Sequence, residues 1–123
     1  MYEAESLYKQ ILQIQPESID EQEYKEYRAI VIGNLGNIFE QQGKFDTAVD
    51  YYQKTLLLTP EYGEAYYNLG NIFEKQGKLD AAIEAYQQAL KIKPEIAQAH
   101  NKLGNVFQKQ GHLRVAIESY QQA

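Results

Sequence analysis

Asn34-Leu35-Gly36-Asn37-Ile38-Phe39 is followed 34 residues later by Asn68-Leu69-Gly70-Asn71-Ile72-Phe73, and after the same interval by Lys102-Leu103-Gly104-Asn105-Val106-Phe107. A fixed period of this length is the mark of a stacked-repeat architecture, in which each unit is a short supersecondary element that cannot bury its apolar face alone. The rest of the chain is read outward from these three copies.

Apolar residues around each copy recur at helical spacing, and Gly or Pro stands between the helical stretches. Before the first copy, Met1 to Ile14 reads as a short amphipathic helix with Ala4, Leu7, Tyr8, Ile11, Leu12 and Ile14 on one side, stopped by Pro16. Ser18-Ile19-Asp20-Glu21 fits a capping box, with Ser18 as N-cap and Glu21 reaching back. A helix then runs to Gly43 over about 24 residues, or roughly 36 Å at ~1.5 Å per residue. Further helices are expected over Phe45 to Leu58, Glu64 to Gln76, Leu79 to Ile92, Ile96 to Gln110 and Leu113 to Ala123. Gly43, Gly77 and Gly111 each close a first helix and permit a left-handed cap with a tight return. Thr59-Pro60 and Lys93-Pro94 close second helices. No stretch has the two-residue alternation of a strand.

Aligned on the period, Leu35, Leu69 and Leu103 share a position, as do Gly36, Gly70 and Gly104, and Phe39, Phe73 and Phe107. In the second helices Ala48, Ala82 and Ala116 align, as do Tyr52, Tyr86 and Tyr120, and Pro60 and Pro94 end their units. This pattern resembles the tetratricopeptide repeat (TPR) over almost the whole chain. The resemblance implies an all-α, right-handed alpha-alpha superhelix, a solenoid of stacked helix hairpins with about seven helices. It divides the single domain into a half repeat at 1–18 that holds only a second helix, a repeat at 19–62 with an N-terminally extended first helix, a full repeat at 63–96, and a truncated repeat at 97–123. The small Gly and Ala positions are where the two helices of a unit cross closely. The Trp usual in the family's first helix is replaced by Ile32, Tyr66 and His100, so His100 is expected in the core or half-buried, and His112 in a turn.

The first helix of each unit has a second side, turned away from the crossing. In the middle unit it carries Glu64, Tyr67, Asn68, Asn71, Glu74 and Lys75; the matching positions hold Asn34 and Asn37 before it, and Asn101, Lys102 and Asn105 after it. The resemblance implies that these first helices line a concave groove. An amide side chain offers both donor and acceptor and suits a peptide backbone. Candidate peptide-binding residues are therefore Asn34, Asn37, Tyr67, Asn68, Asn71, Asn101, Lys102 and Asn105. Glu40, Glu64 and Glu74 balance Lys75, Lys102 and Lys109, which leaves this face formally neutral, with cations toward its C-terminal end. The family's carboxylate clamp maps onto Gly33, Asn37, Asn68, Gln98 and Lys102; Asn37, Asn68 and Lys102 match it, while Gly33 and Gln98 stand where it has Lys. The family's Asn ladder maps onto Asn34 and Asn68 and breaks at Lys102.

Composition narrows the function classes. The 123 residues carry a formal charge of -5 and no Cys. An acidic chain is poorly matched to nucleic acid or an anionic membrane, and without Cys there is neither a disulfide framework nor a thiolate site. No apolar run approaches the roughly 20 residues of a membrane helix, and the acidic start is unlike a secretory signal, so a cytoplasmic location is expected. His100 and His112 lack metal-ligand spacing, and no Gly-rich run has phosphate-loop spacing; the chain is expected to be no enzyme and to need no cofactor or metal. The leading reading is a scaffold that binds a protein or peptide. The alternatives are a homo-oligomer that stacks or swaps through its terminal helices, and a non-catalytic piece of a larger enzyme or regulator.

Overall fold

The computed structural model describes Ser6, Tyr8–Gln10, Gln13 and Asp20–Gln122. Five helices follow one another: α1 (Glu21–Gln41), α2 (Phe45–Leu58), α3 (Gly63–Lys75), α4 (Leu79–Ile92) and α5 (Ala97–Gln122). Among the described residues there is no strand. α1 with α2 and α3 with α4 are antiparallel hairpins, and α5 packs on α4, so the chain is a solenoid of stacked helix pairs. The expected helix at Met1 to Ile14 lies mostly outside the described residues; Tyr8 packs against the first core cluster, and the Lys9 ammonium sits 5.8 Å from the Phe39 ring centroid.

The turns form as their glycines direct. Gly43 and Gly77 have φ of 78° and 75°, a region in which a Cβ is strained. Lys44 N donates to Phe39 O at 2.9 Å and Gly43 N to Glu40 O at 3.0 Å; Lys78 N donates to Phe73 O at 2.8 Å and Gly77 N to Glu74 O at 3.0 Å. These paired bonds are Schellman caps, which satisfy the last carbonyls of the first helix as the chain reverses.

Each reversal lays a tyrosine ring on a glycine. Tyr52 and Tyr86 are almost fully buried and lie against Gly36 and Gly70. A mid-helix Gly costs about 1 kcal/mol relative to Ala, whereas a buried aromatic ring removes roughly 150–250 Å2 from water. Ring burial outweighs the glycine penalty, which is why the pair recurs. Ala48 and Ala82 are fully buried at the same crossings. Thr55 is a buried polar residue of this core; its hydroxyl lies 3.2 Å from Ala29 O and 3.2 Å from Tyr51 O, so it is not left without a partner.

The structure departs from the sequence expectations at both ends. α1 starts at Glu21, and its N-cap is Asp20, whose side chain accepts from Glu23 N at 2.9 Å; the cap is therefore two residues later than Ser18, which lies outside the described residues. Glu21 and Glu23 in the first turn also favour this start, because negative charge is stabilised at a helix N-terminus. At the other end the expected turn at Gly111 does not form. α5 runs straight through Gly111 and His112 as one helix of 26 residues, so a single helix stands where two were expected. Leu113, Val115 and Ile117 are exposed. The helix keeps its own hydrogen bonds through Gly111, and these apolar side chains beyond it stay at the surface. His100 is exposed rather than half-buried; its Nε2 is 3.0 Å from Pro94 O.

Candidate peptide-binding groove

α1, α3 and the start of α5 lie side by side and enclose a cleft of about 680 Å3. Its lining includes Gly33, Asn34 and Asn37 from α1, Tyr67 and Asn68 from α3, and Gln98 and Asn101 from α5. Five of the eight candidate residues are thus brought together: Asn34, Asn37, Tyr67, Asn68 and Asn101. The other three, Asn71, Lys102 and Asn105, are outside this lining. Tyr67 is half-buried and leans on the Tyr86 ring, with centroids 5.9 Å apart.

The asparagines on either side of each Gly have different surroundings. Asn37 Oδ1 accepts from the Tyr52 hydroxyl, and Asn71 Oδ1 accepts from the Tyr86 hydroxyl at 2.7 Å. Each hydroxyl also lies against the carboxylate one turn on, Glu40 at 2.9 Å for Tyr52 and Glu74 at 3.0 Å for Tyr86. A phenol has one proton to donate, and these acceptors share it. Asn37 and Asn71 are therefore committed to holding the buried rings. Asn37 Oδ1 also receives Asn68 Nδ2 at 3.5 Å. Asn34 and Asn101 carry no such tie to a tyrosine.

The groove's charges are largely matched within the protein. Lys75 reaches Glu40 at 3.3 Å, Lys109 reaches Glu74 at 2.6 Å, and Lys93 reaches Glu64 at 2.7 Å. The first two join the first helix of one unit to that of the next, and their carboxylates are only 14% exposed. Burial pushes the Glu74 carboxyl up, but the hydrogen bonds from Lys109 and Tyr86 and the nearby charges of Lys109 and Lys102 outweigh it and hold it below its ordinary range. The hydrogen bond from Lys93 holds Glu64 low against its own burial. Burial, followed by the charge of Glu64, pushes the Tyr62 phenol up, with Lys93 opposing. Tyr52 and Tyr86 are pushed well above the ordinary phenol range, first by burial and then by the adjacent Glu40 and Glu74. With Lys109 tied to Glu74, the cationic end expected from the sequence is reduced to Lys102.

Tyr62, Lys93, Glu95 and Ile96 also line the cleft, and the sequence reading missed them because it considered only the faces of first helices. They lie in the connections that follow second helices. The available signal was the Pro at 60 and 94, which fixes these connections just before the groove-lining helices begin. Among the described residues, no group of three or more His, Cys, Asp or Glu is placed to hold a metal ion. No helix there is long and apolar enough to cross a membrane.

Stacked helical hairpins of this kind define a class of protein-binding scaffolds. A family model described as TPR repeat matches residues 36–77 and 70–111, and the chain belongs to that family. Among solved structures it is similar to a MamA protein, at 29% identity and a TM-score of 0.66 over 76% of this chain and 51% of that one. It thus spans about half of that relative's length. It is also similar to the N-terminal domain of stress-induced protein-1 (STI-1) from C. elegans, at 27% identity and a TM-score of 0.68 over 80% and 83% of the two chains. A second MamA structure, at 22% identity and a TM-score of 0.66 over 95% and 82%, shares the fold. Comparison with curated protein sequences finds no significant match.

Proposed function

We infer that the chain grips an extended segment of a partner protein by its backbone, in the cleft between α1, α3 and the start of α5. The observation that carries this reading is the meeting of Asn34, Asn68 and Asn101 in one cleft of about 680 Å3. An amide offers a donor and an acceptor to each peptide unit it faces. Three of them from successive units form a track along the stack. Glu64 and Lys93 pair with each other in the lining, which leaves Glu95 as its net charge; so weak a field favours recognition of uncharged backbone over a strongly charged ligand. Tyr67 offers a half-buried ring beside the track, the kind of side chain that anchors an interface. The clamp-like capture of a terminal carboxylate is less well supported, because Lys102, the clamp's one matching cation, is outside the cleft lining.

The test is selection of peptides from a displayed random library on the wild-type chain, followed by titration of the selected peptide. The double change Asn34→Ala with Asn68→Ala is expected to weaken binding about tenfold or more, some 1.4 kcal/mol, at unchanged thermal stability. A matched double change on exposed α4 positions, Glu84→Ala with Lys91→Ala, is expected to leave affinity intact. Equal affinities for wild type and the Asn variant would place the site elsewhere.

A further inference from the structure

The third repeat has both halves of a hairpin but does not close it. In the first two units an added Cβ on the glycine would meet the tyrosine of the returning helix, at 2.8 Å for Gly36 with Tyr52 and 2.5 Å for Gly70 with Tyr86. Gly104 has no described residue within 4 Å of that position. Yet Ala116 and Tyr120 stand in the sequence where Ala82 and Tyr86 stand one period earlier. The hairpins also share an apolar pair across the turn. Phe39 and Val49 join the first core cluster, and Phe73 and Ile83 join the second. Their counterparts in the third unit, Phe107 and Ile117, are both exposed, at 48% and 55%. Leu113 and Val115 beside them are exposed as well. Because α5 is one straight helix, Gly104 and Tyr120 are about 16 residues apart along it, roughly 24 Å at ~1.5 Å per residue. They cannot meet within one copy of this helix.

The geometry points to a second copy of this chain as the partner of α5. Two α5 helices packed antiparallel about His112 would lay the 113–122 half of each on the 97–110 half of the other. The register is that of the formed hairpins. In each of those, Gly and Tyr are symmetric about the residue after the turn glycine, Lys44 or Lys78; in α5 the same symmetry point is His112. Both copies then keep an unbroken helix. Gly104 receives the partner's Tyr120, and Phe107 receives the partner's Ile117. The contact is the same on both sides, as a closed two-fold dimer requires, and exchange of an identical element between protomers is a low-cost route to such a dimer. It continues the interface that α5 already makes with α4. This dimer is independent of what the groove binds.

Light scattering over a range of protein concentration is expected to show a monomer–dimer equilibrium. Gly104→Ala meets no described residue of the single chain and is expected to leave helicity and thermal stability of the dilute protein intact while weakening dimerisation tenfold or more. Gly111→Ala disfavours a left-handed turn and is expected to leave dimerisation intact or strengthen it. The chain has no Cys, so single cysteines report pairing directly. Chains with Lys102→Cys mixed with chains carrying Gln122→Cys, treated with a short bismaleimide, are expected to give a covalent heterodimer. A chain that stays monomeric at every concentration overturns the proposal. So does a chain carrying both cysteines that links only within itself, because that outcome means Gly111 closes the third hairpin in one molecule.

Discussion

The ring of Tyr86 lies so close to Gly70 that a Cβ there would fall 2.5 Å from its Cε1. The contact leaves no room for a methyl group, and the ring cannot retreat because it is buried on all sides. Gly70→Ala is therefore expected to destabilise by about 1–3 kcal/mol through overpacking. Gly33, also in a first helix, has Thr55 at an ordinary 3.6 Å, so Gly33→Ala is expected to stabilise by up to about 1 kcal/mol through helix propensity. Urea unfolding of both variants checks the contrast, and equal effects would contradict it.

The phenols of Tyr52 and Tyr86 are held protonated by burial and by the neighbouring Glu40 and Glu74. A group whose folded pKa is raised contributes stability that is complete below its unfolded value and is lost above it. For these tyrosines the loss begins as pH rises past about 10. Ultraviolet titration of the 11 tyrosines is expected to leave a fraction un-ionised until the helical circular dichroism collapses. In Tyr86→Phe that fraction shrinks and the alkaline loss of stability becomes shallower.

At the acid end the sign reverses. Glu64 and Glu74 have lowered pKa values in the folded chain, so they contribute stability above the ordinary carboxylate pKa that is lost as pH falls through the folded value. Stability is expected to be level near neutrality and to decline below about pH 4.3. Glu74→Gln removes one component of that decline. The Lys109–Glu74 pair is half exposed on its lysine side, which limits its contribution to about 0.2–1 kcal/mol and makes it sensitive to salt. Denaturant unfolding at several pH values, with and without added salt, checks both statements.

Asn71 and Asn34 are separated by role. Asn71 holds the Tyr86 hydroxyl at 2.7 Å, so Asn71→Ala is expected to cost about 1 kcal/mol of folding stability. Asn34 lines the cleft and has no tyrosine to hold, so Asn34→Ala is expected to change stability by less than about 0.5 kcal/mol. Thermal melts of the two single variants distinguish them. A destabilised Asn34→Ala would mean that this amide, too, belongs to the fold.

The repeat, its family and most helix boundaries were legible in the residues, because the signals that set them are local. Gly43 and Gly77 act through their own φ, Pro60 and Pro94 through the missing N–H, and the 34-residue period aligns each Gly with its Tyr. The limits of α2 and α4 agree with the expectation to the residue. The role of each asparagine was not legible. Asn34 and Asn37 are both amides on one helix, and only the arrival of the Tyr52 hydroxyl, 15 residues later in the chain, ties one of them to a buried ring. The Lys93–Glu64 pair, which brings a connection into the cleft, joins residues 29 apart for the same kind of reason. Gly111 shows the limit most plainly. Its sequence context matches that of Gly43 and Gly77, yet the helix passes straight through it. A glycine permits a turn, but the burial of the returning helix drives it, and that burial is settled by tertiary contacts.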